Sequence, residues 1–385
     1  MKIAICVVCY NRLTSLKRVL SSLEIAYYDD PVTLIISIDK SNTSAVEDFA
    51  DQYKWEHGEL RVVKHEQNLG LRRHILSVGD HLKDFDAIVV LEDDIYVAPS
   101  FYYYTKQCVE KYHNDLEIAG ISLYNFPLNY HNKLPFTQTK TNSDVFLLQS
   151  ACSWGQVWMR DQWFAFRNWY EQNNEDFNLL PHLPKSICLW PKSSWLKYHI
   201  KYCIEENKYF IFPYVSLSTC FGDVGVHAKN KATQAQVLMN YDKQEVFNLN
   251  PKVLYDGFFE AKSIYKHLGL DEEHLCVDFY GEKNNREHRR YWLTQQQLSY
   301  KILTSYSLDF KPWEQNVLHD NFGEELFLYD TTISAKNKHY KDNLRNREFY
   351  LYSTYIDLYN VSYKALFHFL LNVKHRLFGF KKKNK

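Results

Sequence analysis

Three consecutive carboxylates, Glu92, Asp93 and Asp94, are the residues of this sequence best suited to chemistry. They follow the apolar run 87–91, which reads as a buried strand. Adjacent charges at the end of such a strand are costly unless something binds them. Hard oxygen ligands favour Mg²⁺ or Mn²⁺, with phosphate oxygens filling other coordination positions. The triplet predicts a divalent metal ion that holds a nucleoside diphosphate; the alternative is a solvated acidic turn.

Polar residues after earlier apolar runs fit the same ligand. Arg12 follows the run 3–9 and can meet a phosphate or a base carbonyl, while Asp39 follows the run 32–38 and can accept hydrogen bonds from a ribose or base edge. Arg73 belongs to a tight turn into a helix, whose amides and arginines can face a pyrophosphate. Singly each is a weak indication, because an arginine after a strand is usually solvated. Their order along one sheet favours a nucleotide site.

Strand and helix patterns alternate through the first hundred residues, which predicts an α/β fold with a parallel sheet covered on both faces. Ligands of such sheets bind at the carboxyl ends of the strands, where the polar residues above lie. The predicted elements are strands at 3–9, 32–38, 60–64 and 87–91 and helices at 15–23, 43–53 and 72–82.

The rhythm changes after residue 91. A helix is expected at 101–112, short strands and loops over 117–160, broken helices over 161–208 and a strand at 210–216. From about residue 240 the sequence becomes polar and irregular without alternation. We therefore predict a domain over 1–240 and a mainly helical C-terminal region over 241–385, with the boundary at 240–250.

Composition excludes several classes of protein. The chain has 46 Lys and Arg against 46 Asp and Glu, so a nucleic-acid partner is not expected. Of eight cysteines, only Cys6 and Cys9 form a CxxC pair, and strand alternation directs them to opposite faces. Reduced thiols are expected rather than a zinc site. No apolar stretch reaches the length of about 18 residues that a transmembrane helix needs.

The last segment, 362–385, differs from the rest. An apolar stripe runs through it at helical spacing, and it carries seven Lys and Arg and no acidic residue. A basic amphipathic end predicts contact with an anionic membrane surface. We expect a cytoplasmic protein held peripherally at the inner face of the plasma membrane. The alternative is a docked terminal helix with a solvated lysine tail.

These residues carry a family resemblance. The first 230 or so residues resemble nucleotide-sugar glycosyltransferases of the GT-A fold, a Rossmann-like sheet flanked by helices. The resemblance is greatest to the N-acetylglucosaminyltransferase I type and to bacterial relatives in surface-polysaccharide synthesis. The matching positions are Arg12, Asp39, the stretch 89–101, an acceptor-side loop with Trp154 and Gly155, and the closing segment 213–227.

The resemblance implies roles for the acidic triplet. Asp94 matches the residue that binds Mn²⁺ (or Mg²⁺) bridging the donor phosphates. Glu92 and Asp93 match residues that position ribose, sugar and metal-bound water. His227, near the end of the matching region, is expected to ligate the metal or contact a phosphate; the alternative is a surface-loop histidine.

The sequence departs from the family at the catalytic base. Inverting members carry an aspartate just before a tryptophan, in the helix ahead of the closing strand, and it deprotonates the acceptor hydroxyl. Here Ser194 stands in that place, and a serine cannot act as this base near neutral pH. Asp176, Glu205 and Asp223 are the available carboxylates. The base is unassigned, and inversion or retention of the anomeric configuration is open.

The sequence thus predicts a metal-dependent hexosyl- or N-acetylhexosaminyltransferase. It would move a sugar from a nucleotide-diphosphate donor, a UDP-sugar by preference, to a glycan or lipid-linked acceptor in bacterial surface polysaccharide synthesis. One alternative is a nucleotidyltransferase acting on sugar phosphates, which shares such a sheet but needs a glycine-rich loop after the first strand; residues 9–15 contain no glycine. Another is a non-catalytic glycan-binding homologue.

Overall fold

The computed structural model describes residues 1–224, 235–283 and 289–338, together with Glu348 and Leu370. The strands up to residue 224 are, in chain order, β1 (Ile3–Cys9), β2 (Thr33–Ile38), β3 (Leu60–Lys64), β4 (Ala87–Glu92), β5 (Ile95–Val97), β6 (Ile118–Ser122), β7 (Leu128–Asn129), β8 (Leu134–Pro135), β9 (Val145–Leu148), β10 (Gln156–Met159), β11 (Tyr209–Pro213) and β12 (Ser218–Cys220). The helices of this part are α1 (Leu13–Glu24), α2 (Ala45–Gln52), α3 (Gly70–Val78), α4 (Phe101–Tyr112), α5 (Arg160–Gln172), α6 (Lys185–Cys188) and α7 (Leu196–Glu205).

Later elements are β13 (Leu254–Tyr255), α8 (Ser263–Leu268), β14 (Leu275–Asp278), β15 (Tyr291–Thr294), β16 (Tyr300–Tyr306), α9 (Glu314–Leu318) and β17 (Leu326–Ser334). Among the described residues, the largest sheet has the strand order β13-β9-β11-β6-β10-β4-β1-β2-β3. The strands β4, β1, β2 and β3 are parallel, whereas β10 runs antiparallel to both β4 and β6. The predicted α/β fold with a mostly parallel sheet is confirmed.

Both faces of this sheet are buried, as the continuous apolar strands predict. Every residue of β1 is buried. Cys6 packs into the cluster that contains Phe85 and Trp158, while Cys9 packs into the opposite cluster with Val19 of α1 and Tyr104 of α4. The two thiols therefore lie on opposite faces, and all eight cysteines are free and buried, as expected.

In the described part of the C-terminal region strands predominate, contrary to the expectation of a mainly helical region; residues after 338, apart from Glu348 and Leu370, lie outside the described residues. Over the described residues from 254 onward, β14, β15, β17 and β16 form a four-stranded sheet, and α8 and α9 are short. The strands β14 and β15 have four residues each, which is too short for a two-residue period to be recognised. Leu293 and Leu328 share a core cluster with Phe212 and Tyr255 of the large sheet. The boundary at 240–250 stays a prediction.

Membrane contact through 362–385 cannot be read from these elements, because that segment lies outside the described residues apart from Leu370. Within the part of the chain that is described, no helix combines the length and apolar character needed to cross a bilayer.

Candidate active site

The acidic turn, residues Glu92–Asp94, lies at the carboxyl end of β4, in the middle of the large sheet. It connects β4 to β5, and β5 is held by antiparallel pairing with β12. The neighbouring parallel strands β1 and β2 end at the same edge. The structure therefore brings the residues that follow these strands, Arg12 and Asp39, to the edge where the acidic turn lies.

Arg12, directly before α1, holds the acidic turn through its guanidinium group. Its Nε donates to Asp93 Oδ2 at 3.2 Å and its Nη2 pairs with Asp93 Oδ1, which makes a two-point contact. A third nitrogen, Nη1, donates to Asp94 Oδ2 at 3.3 Å. Asp93 is thus neutralised by the arginine, whereas Asp94 receives one long contact.

The acidic turn is short of positive charge. Burial raises the pKa of Glu92 to about 8, and the neighbouring Asp94 and Asp93 add to this effect. Burial also raises the pKa of Asp93 to about 6, although the Arg12 guanidinium opposes the rise. Arg12 pairs with Asp93 and Asp94, and no basic side chain among the described residues forms an ion pair with Glu92. Perturbed carboxylates of this kind are typical of sites that bind a further cation or a substrate.

Asp39 fixes the turn into α3. It is 4% exposed, and its Oδ1 accepts hydrogen bonds from the Leu69 amide at 2.8 Å and the Lys40 amide at 2.9 Å. Its Oδ2 accepts from the Gly70 amide at 3.0 Å, where the backbone has a φ of +70° that favours glycine. Contact with a donor nucleotide stays a prediction for Asp39.

The two arginines of that turn point in different directions. Arg73, the predicted donor-binding residue, is exposed in the first turn of α3. Arg72 instead donates to the Tyr170 hydroxyl at 2.7 Å and to the carbonyls of Lys192 and Asn174. Arg72 therefore ties α3 to the segments around α5 and α7, and only Arg73 remains open to solvent.

The acceptor-side loop is anchored beside β12. The carbonyl of Trp154 accepts a hydrogen bond from Ser218 Oγ at 2.6 Å. The Trp154 ring packs edge-on against the Tyr124 ring, with 4.8 Å between the ring centroids. Gly155 has a φ of +92°, and a Cβ there would lie 2.9 Å from Ser218 Oγ. Because β12 pairs with β5, hydrogen bonds connect this loop through β12 to the strand that follows the acidic turn.

Each carboxylate available as a base is engaged by a cation. Asp176 pairs with the buried Lys197 at 2.8 Å, and this contact holds its pKa below the ordinary value. Glu205 pairs with Lys201 and His182, both at 2.9 Å. The catalytic base accordingly stays unassigned.

Asp223 is engaged most fully. Its carboxylate pairs with Arg18 and accepts from Ser15 Oγ at 2.8 Å, and these contacts lower its pKa although partial burial opposes them. The sequence analysis missed Ser15 and Arg18. The signal for them is their spacing from Arg12: residues three apart in a helix lie on one face.

A divalent metal fits the acidic turn only with help from other ligands. Carboxylate oxygens are the donors that Mn²⁺ and Mg²⁺ prefer, and Asp94 offers them. Among the described residues, however, no group of three His, Cys, Asp or Glu side chains could hold an ion. His227, the second predicted ligand, lies outside the described residues. A metal here would need phosphate oxygens or further ligands.

Comparison with known proteins bears on the N-terminal part of the chain. The family model for Glycosyl transferase family 2 matches residues 4–183. No curated protein matches the chain.

Several solved structures are similar over part of the chain. S. aureus TarS 1-349 in complex with UDP-GlcNAc is 14% identical with a TM-score of 0.39, over 59% of this chain and 60% of that one. GalNAc-T7 with UDP, GalNAc and Mn²⁺ is 15% identical with a TM-score of 0.39, over 55% and 42%. The mannosyltransferase PcManGT from Pyrobaculum calidifontis, with GDP-Man and Mn²⁺, is 12% identical with a TM-score of 0.34, over 56% and 57%.

The chain spans about three fifths of the length of the TarS chain that it matches. The family match covers β1 to β4 and the acidic turn, and extends beyond β10. The resemblance drawn from the sequence is confirmed: residues 4–183 form a glycosyltransferase domain with the GT-A fold.

Proposed function

We propose that the protein is a metal-dependent glycosyltransferase that binds a nucleotide-diphosphate sugar at the acidic turn and transfers the sugar to an acceptor hydroxyl. The observation that carries this proposal is the charge deficit of the acidic turn. Of the three carboxylates at the carboxyl end of β4, Arg12 pairs with Asp93 and Asp94, and burial disfavours the ionised forms of Glu92 and Asp93. A divalent cation offsets such a deficit, and it can at the same time bind the phosphate oxygens of a donor.

The residues around the acidic turn have different roles in the proposed binding of the donor. Asp94, which Arg12 contacts only once, is free to share an ion with the donor phosphates. Asp93 holds Arg12 beside that position, so that a fixed positive charge faces the diphosphate. Asp39 keeps the turn before α3 in place, and Trp154 lies on the side that we assign to the acceptor. A divalent ion bound there would stabilise the negative charge that develops on the departing diphosphate.

The sequence resemblance favours a UDP-sugar donor and a glycan or lipid-linked acceptor in bacterial surface polysaccharide synthesis. The solved structures reported above contain UDP or GDP-Man, two of them with Mn²⁺. UDP and GDP are therefore the first probes to use.

Nucleotide binding tests the proposal. We expect UDP or GDP to raise the free energy of unfolding only when Mn²⁺ or Mg²⁺ is present. At a ligand concentration about 100 times the Kd, the gain is about 2.7 kcal/mol. Asp94→Asn should lose this gain, while its own melting temperature holds or rises because carboxylate repulsion is relieved. Asp51→Asn, which alters a surface pair with Lys64, is the matched control and should respond like the wild type.

Two outcomes contradict the proposal. An equal nucleotide shift in excess EDTA shows that the phosphates are held without a metal. Full activity of Asp94→Asn removes the metal assignment. Turnover is followed by the release of nucleoside diphosphate from a UDP-sugar; release of pyrophosphate from a nucleoside triphosphate and a sugar phosphate would instead identify a nucleotidyltransferase.

We also propose peripheral membrane attachment through residues 362–385, on the evidence of their sequence alone. Each Lys or Arg near an anionic leaflet contributes about 1 kcal/mol. The intact chain should float with anionic vesicles and not with neutral ones, and a chain ending at Tyr359 should float with neither. Equal failure of the intact chain with both lipids refutes the attachment.

A further inference from the structure

Three polar residues lie at a spacing of three at the start of the first helix: Arg12 directly before α1, and Ser15 and Arg18 within it. All three contact the segment 221–224, which is about 200 positions away in the chain. Ser15 and Arg18 bind the carboxylate of Asp223, and Arg12 donates from Nη1 to the Asp223 carbonyl at 3.4 Å. One short segment therefore contacts the N-terminal half of α1 and the residue before it.

The same segment is also joined to the acidic turn. The pairing of β12 with β5 ends at Cys220 opposite Ile95. It is continued by one more hydrogen bond, from the Phe221 amide to the Asp94 carbonyl at 2.9 Å. Gly222 then takes a φ of +55°, a left-handed conformation that turns the chain from the acidic turn toward α1.

Arg18 contacts the segment 221–224 at two residues. Its guanidinium pairs with Asp223, and its central carbon lies 3.8 Å from the centroid of the Phe221 ring. The ring and the carboxylate are two residues apart, so one arginine sets both the position and the orientation of the segment. Arg18 and Asp223 are largely shielded, with side-chain exposures of 21% and 17%, so water screens the pair less than it screens a surface pair.

Both oxygens of the Asp223 carboxylate are engaged by α1. Oδ2 accepts from both Ser15 and Arg18, and Oδ1 receives a longer contact of 3.5 Å from Arg18 Nη1. A general base needs a free lone pair directed at the acceptor hydroxyl. The geometry fits a residue that holds other groups in place.

We propose that Ser15, Arg18 and Asp223 form a latch, here called the α1 latch, that positions Arg12 against the acidic turn for binding of the donor diphosphate. This inference rests on the proposed function. In it Asp223 and Arg18 are positioning residues: they act through the segment 221–224 and through Arg12. Arg12 is held by Asp93 on one side and by the Asp223 carbonyl on the other. Loosening the latch removes the restraint from the Asp223 carbonyl and leaves the contacts of Arg12 with Asp93 and Asp94.

Nucleotide affinity in variants of the latch tests the proposal. The Kd of UDP or GDP with Mn²⁺ is measured by calorimetry well below the melting temperature, for Arg18→Ala, Arg18→Lys, Ser15→Ala and Asp223→Asn. We expect Arg18→Ala to weaken binding about tenfold, which is about 1.4 kcal/mol. Arg18→Lys, which keeps the charge beside Asp223, should recover part of the loss.

A chemically matched pair supplies the control. Arg290 pairs with Asp330 at 2.8 Å in the C-terminal sheet, and Asp330 also accepts from a threonine hydroxyl, as Asp223 does from a serine. Arg290→Ala should leave the Kd unchanged whatever it does to the melting temperature. If Arg18→Ala fails to fold, the milder Ser15→Ala and Arg18→Lys variants carry the test.

The outcomes separate this inference from the proposed function. Wild-type protein that binds neither nucleotide overturns both. Normal wild-type binding with unchanged Kd in the latch variants overturns the latch alone, as does an equal loss in Arg290→Ala. An Asp223→Asn variant that binds nucleotide normally but loses turnover assigns Asp223 to the chemical step, and this also overturns a positioning role.

Discussion

Removing the ion pair between Arg12 and Asp93 should lower the free energy of unfolding by an amount that depends on pH. Arg12→Met removes the guanidinium and keeps an apolar side chain of similar length. Asp93 is 3% exposed, and burial raises its pKa to about 6 even with the arginine beside it. Without the arginine, nothing compensates the buried carboxylate in the same position, so its pKa must rise further.

The size of the effect follows from linkage. A group whose pKa is higher in the folded protein contributes its full stability below its unfolded pKa of 3.8 and loses it as the pH rises toward the folded pKa. In the wild type this loss ends near pH 6; in Arg12→Met it continues above that pH. One pH unit is worth about 1.36 kcal/mol, so between pH 6 and 7.5 the variant loses at most about 2 kcal/mol more than the wild type. That corresponds to a drop in melting temperature of about 4–8 °C.

The assay compares melting curves of wild type and Arg12→Met at pH 5.5 and pH 7.5, in EDTA so that no metal competes for the carboxylates. The pH-dependent part of the difference should vanish when Asp93→Asn is present in both proteins. A destabilisation of equal size at the two pH values refutes the reasoning. So does a pH-dependent difference that survives in the Asp93→Asn background.

Two further predictions concern the core. Gly79→Ala should lower the melting temperature sharply, because the new Cβ would lie 1.9 Å from Trp163 Cε2 and overpacking costs about 1–3 kcal/mol or more; a variant that melts like the wild type contradicts this packing. Glu260→Gln should melt higher than the wild type at pH 8 with little gain at pH 5. Burial raises the pKa of Glu260, so its contribution to stability falls as the pH rises above 4.5, and its Oε2 has no hydrogen-bond partner among the described residues. Parallel pH curves for the two proteins would count against it.

The parallel part of the sheet could be predicted because each of its strands is recognisable from its own run of apolar residues. The runs at 3–9 and 60–64 coincide with β1 and β3, and 101–112 coincides with α4. Strands buried on both faces are continuously apolar, and each ends where polar residues begin. Since parallel strands end at one edge, the position of the acidic turn beside Arg12 also followed from the sequence.

The C-terminal sheet was not predictable in this way. The strand β15 pairs with β14 on one side and with β17 on the other, and β17 begins more than 30 residues later in the chain. The strands β14 and β15 are defined by their partners more than by their own pattern, because their four residues are too few to show a period.

The hydrogen-bond and ion-pair partners of the site residues could not be predicted from the sequence either. Nothing in the sequence distinguishes Arg72 from Arg73, yet their positions on α3 direct one to Tyr170 and leave the other exposed. Arg18 and Asp223 are 205 positions apart, and only the fold brings them together. Residue types near strand ends indicated a nucleotide site, but pairing within that site is a long-range property.

The balance between the carboxylates and the arginines of the site explains why these ion pairs matter for function. The acidic turn and Asp223 carry four carboxylates, and Arg12 and Arg18 supply two positive charges, which leaves two negative charges if every group is ionised. Arg18 is committed to Asp223, and Arg12 is committed first to Asp93. A nucleoside diphosphate would add further negative charge at the same edge, so a cation, or protons retained on the acidic turn, would favour its binding. Burial already raises the pKa of Glu92 to about 8, so a proton is retained in the free protein; a divalent ion arriving with the diphosphate can replace it. The metal requirement that we propose would thus follow from the few arginines that contact the acidic turn among the described residues, and from their existing contacts with Asp93 and Asp223.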